Sequence, residues 1–195
     1  MAEEMGSVHA SAPSQRLEAK ATASDTLAAH PALRATVSQL GDSTNLFVHS
    51  LNGIKQDQAL VRPGPRSNPM LWVAGHLVQA RTRLLRAFGP PRQVPWENLF
   101  ATGATVSELT PYPSIGEIEA VWRSASEELT RRIQTAPRAR YDDATPDWLL
   151  SRDGTLGGAL TYAAYHEAYH IGQLGYIRKW LGYEAVFEPD ARSDR

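Results

Sequence analysis

Two histidines four residues apart, His166 and His170, stand in the run Tyr165-His166-Glu167-Ala168-Tyr169-His170-Ile171-Gly172-Gln173. On a helix this spacing stacks both imidazoles on one face, so that adjacent turns can hold one ion. The face continues an apolar stripe of Leu160, Ala163, Leu174, Ile177 and Leu181, which predicts that the histidines point inward or close to it. A third histidine, His76, lies in Trp72-Val73-Ala74-Gly75-His76-Leu77, beside the stripe of Val73, Leu77 and Ala80. Gly75 next to it leaves room for another backbone or a ligand to approach. Three neutral imidazoles leave coordination positions open, the arrangement of a catalytic rather than a closed structural site. The competing reading, core histidines satisfied by hydrogen bonds, fits an isolated His-x-x-x-His as well but explains three together less well.

Glu167 completes His-Glu-x-x-His, a zincin pattern in which the glutamate is a general base. It sits beside, not on, the face shared by the histidines, so a surface or salt-bridging role is the simpler assignment. Glu188 is a conceivable third ligand for the zincin reading. An all-helical chain lacks the sheet edge on which zincins bind peptides, however, and His76 already supplies a third imidazole. Gln173, one turn beyond His170, is placed to orient a ligand or a bound water. His49 reads as a boundary histidine, and His9 and His30 carry no signal. Trp72, Tyr162, Tyr165 and Tyr169 surround the motifs; aromatics at helical spacing are mostly core, with one or two left for pocket walls. There is no Gly-rich phosphate loop, zinc ribbon or serine nucleophile elbow.

Trp-x-x-Gly-His-Leu at Trp72–Leu77 and His-Glu-x-x-His-x-Gly-Gln-x-x-x-x-Arg at His166–Arg178 resemble the DinB/YfiT-like superfamily of metalloenzymes. The resemblance covers residues 31 to 183. It implies a four-helix bundle, often dimeric, in which His76, His166 and His170 bind zinc, nickel or a similar ion, with iron or manganese as alternatives. The family name comes from DNA-damage induction, and its members are not DNA binders as a class. Relatives of known activity include transferases and isomerases that use a low-molecular-weight thiol such as bacillithiol or mycothiol.

The elements that must carry these residues are legible as amphipathic periods. Leu33, Val37, Leu40, Phe47, Leu51 and Ile54, with Thr44 filling one gap, predict a first long helix that ends before Pro63. Asn68 and Pro69 open a second helix, closed by Gly89-Pro90-Pro91, with the stripe Val73, Leu77, Ala80, Leu84 and Phe88. Ser114 and Glu117 form a capping box for a third, whose inner face is Ile115, Ile118, Trp122, Ala125, Leu129 and Ile133 and which Pro137 ends. A fourth runs from Thr155 to Leu181, with Arg178 and Lys179 in its last turn and Gly182 after it. No strand alternation and no repeat is present. The fold class is therefore all-α, a four-helix bundle over residues 26–188 with two long connecting loops, a loose tail at 1–25 and a short tail at 189–195. A short link makes the first two helices antiparallel neighbours. The link 90–113 holds five prolines, and its Trp96, Leu99 and Phe100 are expected to pack on the bundle or line a cavity, where they could cover the pocket; the second link spans 138–154.

Composition bounds the function. Lys and Arg total 20 against 21 Asp and Glu, which gives no support for a nucleic-acid face. The chain has no cysteine, so disulfides, thiolate ligands and a Cys nucleophile are excluded, and any reacting thiol comes from outside. No secretory signal or membrane-length apolar run is present, which points to a cytoplasmic protein. The expectation is a metal-dependent enzyme that transfers a low-molecular-weight thiol to a small electrophile. The alternatives are a hydrolase using metal-activated water and a non-catalytic metal-binding module. A small-molecule substrate is expected, and, from the resemblance and the many apolar positions on the first and third helices, a homodimer through helix faces away from the metal; nucleic acid and membrane are not. Protons should compete with the metal as pH falls through the usual histidine pKa of about 6.5.

Overall fold

The computed structural model describes residues 31–93, 96–101, 103–104 and 111–186. Along the chain come α1 (Pro31–Leu51), a short α2 (Gln56–Leu60), α3 (Met70–Ala87), a 3-10 turn Glu97–Phe100, α4 (Ile115–Thr135), a 3-10 turn Arg138–Asp142 and α5 (Leu156–Trp180). Among the described residues there is no strand, only one antiparallel bridge between Ala144 and Thr155. The four long helices form the bundle that the periodicity predicts. The tails at 1–25 and 189–195, His9, His30 and Glu188 lie outside the described residues.

Local signals place most helix ends. Ser114 Oγ accepts from Glu117 N at 3.2 Å and Glu117 Oε2 accepts from Ser114 N at 2.8 Å, the reciprocal capping box expected. Thr155 caps α5 by accepting from Gly158 N at 3.0 Å. Pro69 stands at the cap of α3, which starts at Met70. The first helix is shorter than its apolar spacing suggests. Gly53, at φ +76°, turns the chain after Leu51, and Ile54 joins the core from the link instead of from the helix.

That shorter helix changes the topology. The link to α3 is residues 52–69, long enough to carry α2 and to cross the end of the bundle. α1 packs on α5 and α4, and α3 packs on α4 and α5, so α1 and α3 lie diagonally. The expectation that the first two long helices are neighbours is thus overturned; it counted the α2 segment as part of helix one. Arg178 on α5 ties down the end of α1, donating to Asn52 O at 2.6 Å and, nearby, to Glu184 O at 2.9 Å.

The core has two apolar layers. One holds Phe47, Leu77, Trp122, Ile171 and Leu174; the other holds Leu40, Leu84, Leu129, Ile133 and Leu160. Between them every long helix contributes a polar residue at one level: Thr44, Arg81, Ser126 and Glu167. The Arg81 guanidinium is at its centre. Its Nε donates to Glu167 Oε1 at 2.8 Å, Nη2 pairs with Glu167 Oε2 and reaches Leu40 O at 3.1 Å, and Nη1 reaches Thr44 Oγ1 at 2.6 Å and Ser126 Oγ at 2.5 Å. Arg81 Cζ lies 3.6 Å above the Trp122 ring. Both ion-pair side chains are 1 % exposed, and all five guanidinium N–H groups point into this network, as burial of a charge requires.

Candidate metal centre

His76 on α3 faces His166 and His170 on α5. His76 Nε2 and His166 Nε2 are 3.3 Å apart. His170 closes the triangle with its ring centroid 4.9 Å from that of His76 and 4.5 Å from that of His166. One ring nitrogen from each lies within 4.8 Å of the other two. The triad predicted from sequence is therefore brought together from helices 90 residues apart in the chain.

Carbonyl acceptors fix two of the rings. His76 Nδ1–H donates to Phe100 O at 3.0 Å, and His170 Nδ1–H donates to the Gln173 side-chain oxygen at 2.7 Å. A carbonyl can only accept, so each ring carries its proton on Nδ1 and turns the Nε2 lone pair toward the centre. Gln173 is held in turn by its amide nitrogen, which donates to Tyr169 Oη at 3.3 Å. Trp72 stacks on His76 at 5.1 Å and 6°, and Tyr162 stacks on His166 at 6.0 Å.

Burial lowers all three imidazoles from their ordinary pKa. His166 is pushed down to about 4, by desolvation first and then by repulsion from His170 and His76. His76 is lowered by desolvation and by the charge of Arg83, against the opposing Phe100 hydrogen bond. His170 is lowered by desolvation and by His76, against the opposing bond to Gln173. The rings are neutral at physiological pH, the form that coordinates a metal.

Gly75 makes this possible from the back. A Cβ there would meet the Phe100 ring at 2.4 Å. The glycine therefore admits an aromatic ring, and the same residue's carbonyl holds His76. Trp96 meets Phe100 edge-on at 5.5 Å, and both pack into the core layer. The described part of the link 90–113, Trp96 to Phe100, thus packs on the bundle, one of the expected placements, and braces His76 from behind; it does not line the pocket beside the triad. The cover comes from the second link: Trp148, Leu149 and Leu150 wall a pocket of about 310 Å³ whose other residues include His76, His166, Tyr162, Ala163, Leu84 and Arg83. Sequence reasoning missed these three. Their signal is a Trp-Leu-Leu run in an otherwise polar link.

α5 is rotated from the predicted orientation. Its buried line is Leu160, Ala164, Glu167, Ile171, Leu174 and Ile177, while His166 and His170 lie half-buried at its edge, toward α3. One residue along a helix turns the side chain by about 100°, so Glu167 points to the core and away from the triad. It is salt-bridging, as the simpler assignment held, but not at the surface. Both its oxygens are engaged by Arg81, so the zincin general base has no free carboxylate here. His49 is exposed and apart from the triad. Tyr165 and Tyr169 are exposed too, and Trp72 is core.

The DinB superfamily matches residues 39–174, a span that contains all three histidines and Gln173. The chain belongs to the DinB superfamily. No curated protein matches it. The donor set fits one divalent ion. Nitrogens at about 2.0–2.1 Å around a tetrahedral ion lie roughly 3.3–3.4 Å apart, and the His76–His166 pair is already at 3.3 Å. Among the described residues no helix is long and apolar enough to cross a membrane.

Proposed function

We propose that this DinB-superfamily protein is a metal-dependent enzyme that joins a low-molecular-weight thiol to a small electrophile. His76, His166 and His170 would hold one divalent ion, zinc or nickel. The observation that carries the reading is the convergence of three neutral imidazoles, two of them locked by carbonyl acceptors, beside a small apolar pocket. When bound, the ion supplies positive charge that favours the thiolate form of a thiol at neutral pH.

The chain's own residues do the rest. Phe100 O and the Gln173 side chain keep the Nδ1 protons of His76 and His170 in place, so these rings act as neutral ligands and not as proton carriers. Trp148, Leu149, Leu150 and Tyr162 offer an apolar wall for the electrophile next to His166. The transfer breaks the thiol S–H bond and forms a carbon–sulfur bond; with an alkyl electrophile the leaving group departs with its bonding electron pair, and with an activated alkene the π electron pair ends as a carbon–hydrogen bond to a proton taken from water. Among the described residues the only carboxylate lining the pocket is Glu167, which is committed to Arg81; the thiol proton therefore passes to water. The absence of cysteine from the chain means that the sulfur is external.

The test is a panel of thiols, bacillithiol and mycothiol included, against alkyl and activated-alkene electrophiles, with metal-free protein as control. A rate that needs both thiol and metal, and is lost in His166→Ala with the helical content retained, is expected. Ester or amide hydrolysis without thiol would put a hydrolase in its place. No turnover with either class would leave a non-catalytic metal-binding module.

A further inference from the structure

The pocket beside the triad contains one cation that the proposed transfer does not use. Arg83 lies on α3, seven residues or two helical turns beyond His76, and lines the same pocket as His76, His166, Tyr162 and Trp148. It is half-buried. Among the described residues it has no hydrogen-bond or ion-pair partner, although the other buried and half-buried guanidiniums do: Arg81 pairs with Glu167, Arg92 and Arg132 with Glu128, and Arg86 and Arg178 with backbone carbonyls. Helical side chains lean toward the N-terminus, which tilts Arg83 back toward His76. Its charge is felt there.

This arrangement is electrostatically incomplete. A divalent ion on three neutral imidazoles adds positive charge close to an unpaired guanidinium in a partly desolvated pocket, where like charges repel strongly. The lining carboxylate, Glu167, is already taken by Arg81. The missing negative charge must therefore come with the ligand. We propose that Arg83 binds a carboxylate on the substrate, so that this enzyme takes small electrophiles with an apolar body and one carboxylate about two helical turns, up to roughly 10 Å, from the reacting atom. A single free guanidinium among apolar walls suits one planar monoanion, held by the two-pronged fork, better than a dianionic phosphate that needs several donors. Trp148, Leu149 and Leu150 cover the apolar body between the two ends. The inference rests on the function proposed above for the choice of substrate, but its test does not.

The test uses metal-free protein, so that no carboxylate can ligate an ion, and measures calorimetric binding of 4-phenylbutyrate and of its neutral counterpart 4-phenylbutanol. Wild type should bind the acid at least about tenfold more tightly, equivalent to about 1.4 kcal/mol. Arg83→Gln should abolish that preference, Arg83→Lys should keep part of it, and Trp148→Ala should weaken both ligands alike. Metal content of Arg83→Gln after loading should match wild type, which separates the two readings. Lost acid preference with normal metal uptake supports the assignment, whatever the thiol panel gives. Equal binding of acid and alcohol by wild type, no measurable binding of either at millimolar concentration, or a preference that survives Arg83→Gln would overturn it while leaving thiol transfer standing.

Discussion

Replacing Glu167 with Ala separates its two readings by magnitude. The Arg81 guanidinium is 1 % exposed and gives two of its hydrogen bonds to this carboxylate. Its bonds to Thr44, Ser126 and Leu40 O would survive, but those are neutral acceptors and leave the charge uncompensated. Breaking a buried pair from one side costs about 3–5 kcal/mol. A domain has about 5–15 kcal/mol in total, so the variant should lose about a fifth or more of its stability. For a chain of this length that is a fall in Tm of roughly 6–20 °C. Urea unfolding of metal-free protein, followed by circular dichroism, measures it. A general base at the pocket edge would behave in the opposite way, with activity lost and stability within about 0.5 kcal/mol of wild type. That outcome would refute the anchoring argument and restore the zincin reading.

Gln173→Ala should lower metal affinity by about 10–100-fold, measured by competition with a chromogenic chelator, because the His170 ring loses the acceptor that fixes its tautomer. Gly75→Ala should cost about 1–3 kcal/mol by overpacking and weaken metal binding as well, since the added Cβ displaces the Phe100 ring whose backbone holds His76; unchanged melting would show that the brace yields freely. The pH dependence should be shifted from the sequence-based expectation: with all three imidazoles lowered and His166 near 4, metal affinity should hold through about 6.5 and fall only as pH approaches the lowered values. The same shift makes the metal-free fold less stable as pH drops from about 6.5, where the unfolded chain takes up protons, toward the folded value of about 4; a stability that rises on acidification across that window would contradict it. A homodimer is expected to use the exposed α5 side of Tyr165, Tyr169, Tyr176 and Trp180, so that Tyr176→Lys gives a monomer in light scattering; a wild type that is monomeric at every concentration would remove it.

The bundle and the triad were legible because each rests on a local period. His166 and His170 announce themselves by spacing, and His76 by its place beside a stripe. The capping box at Ser114 and Glu117 has a four-residue signature and appears as written. What was not legible depends on contacts between distant segments. The apolar residues of the first and third long helices motivated the homodimer, but Phe47, Leu51, Ile118 and Trp122 are buried within the bundle, so these positions do not bear on self-association. The rotation of α5 was misjudged because its central core position is occupied by Glu167, a residue that an apolar stripe search discards. Arg81 was passed over for the same reason. A signal was present: Thr44, Arg81 and Ser126 each interrupt an apolar stripe three or four residues from its neighbours, and three interruptions at matching depth imply a shared polar layer. Pairing them needs the helix arrangement, which the sequence does not encode locally.

That polar layer bears directly on the metal centre. Arg81 follows His76 by five residues on α3, and Glu167 follows His166 by one on α5. The ion pair is therefore a second rung between the same two helices, about a turn away from the 3.3 Å approach of His76 to His166. An apolar contact tolerates a helix sliding or turning by part of a residue, whereas a two-bond guanidinium–carboxylate pair does not. A buried pair is weak evidence for stability but can specify register. The double variant Arg81→Met with Glu167→Leu isolates that role. Its stability should return to within about 1 kcal/mol of wild type or exceed it, since apolar replacements of buried pairs are often neutral or better. If the pair sets the register, metal affinity should still fall in this stable protein, because the three imidazoles are no longer held to one geometry. Wild-type affinity in a fully stable double variant would mean that packing alone aligns α3 with α5, and that the glutamate of the His-Glu-x-x-His run serves stability only.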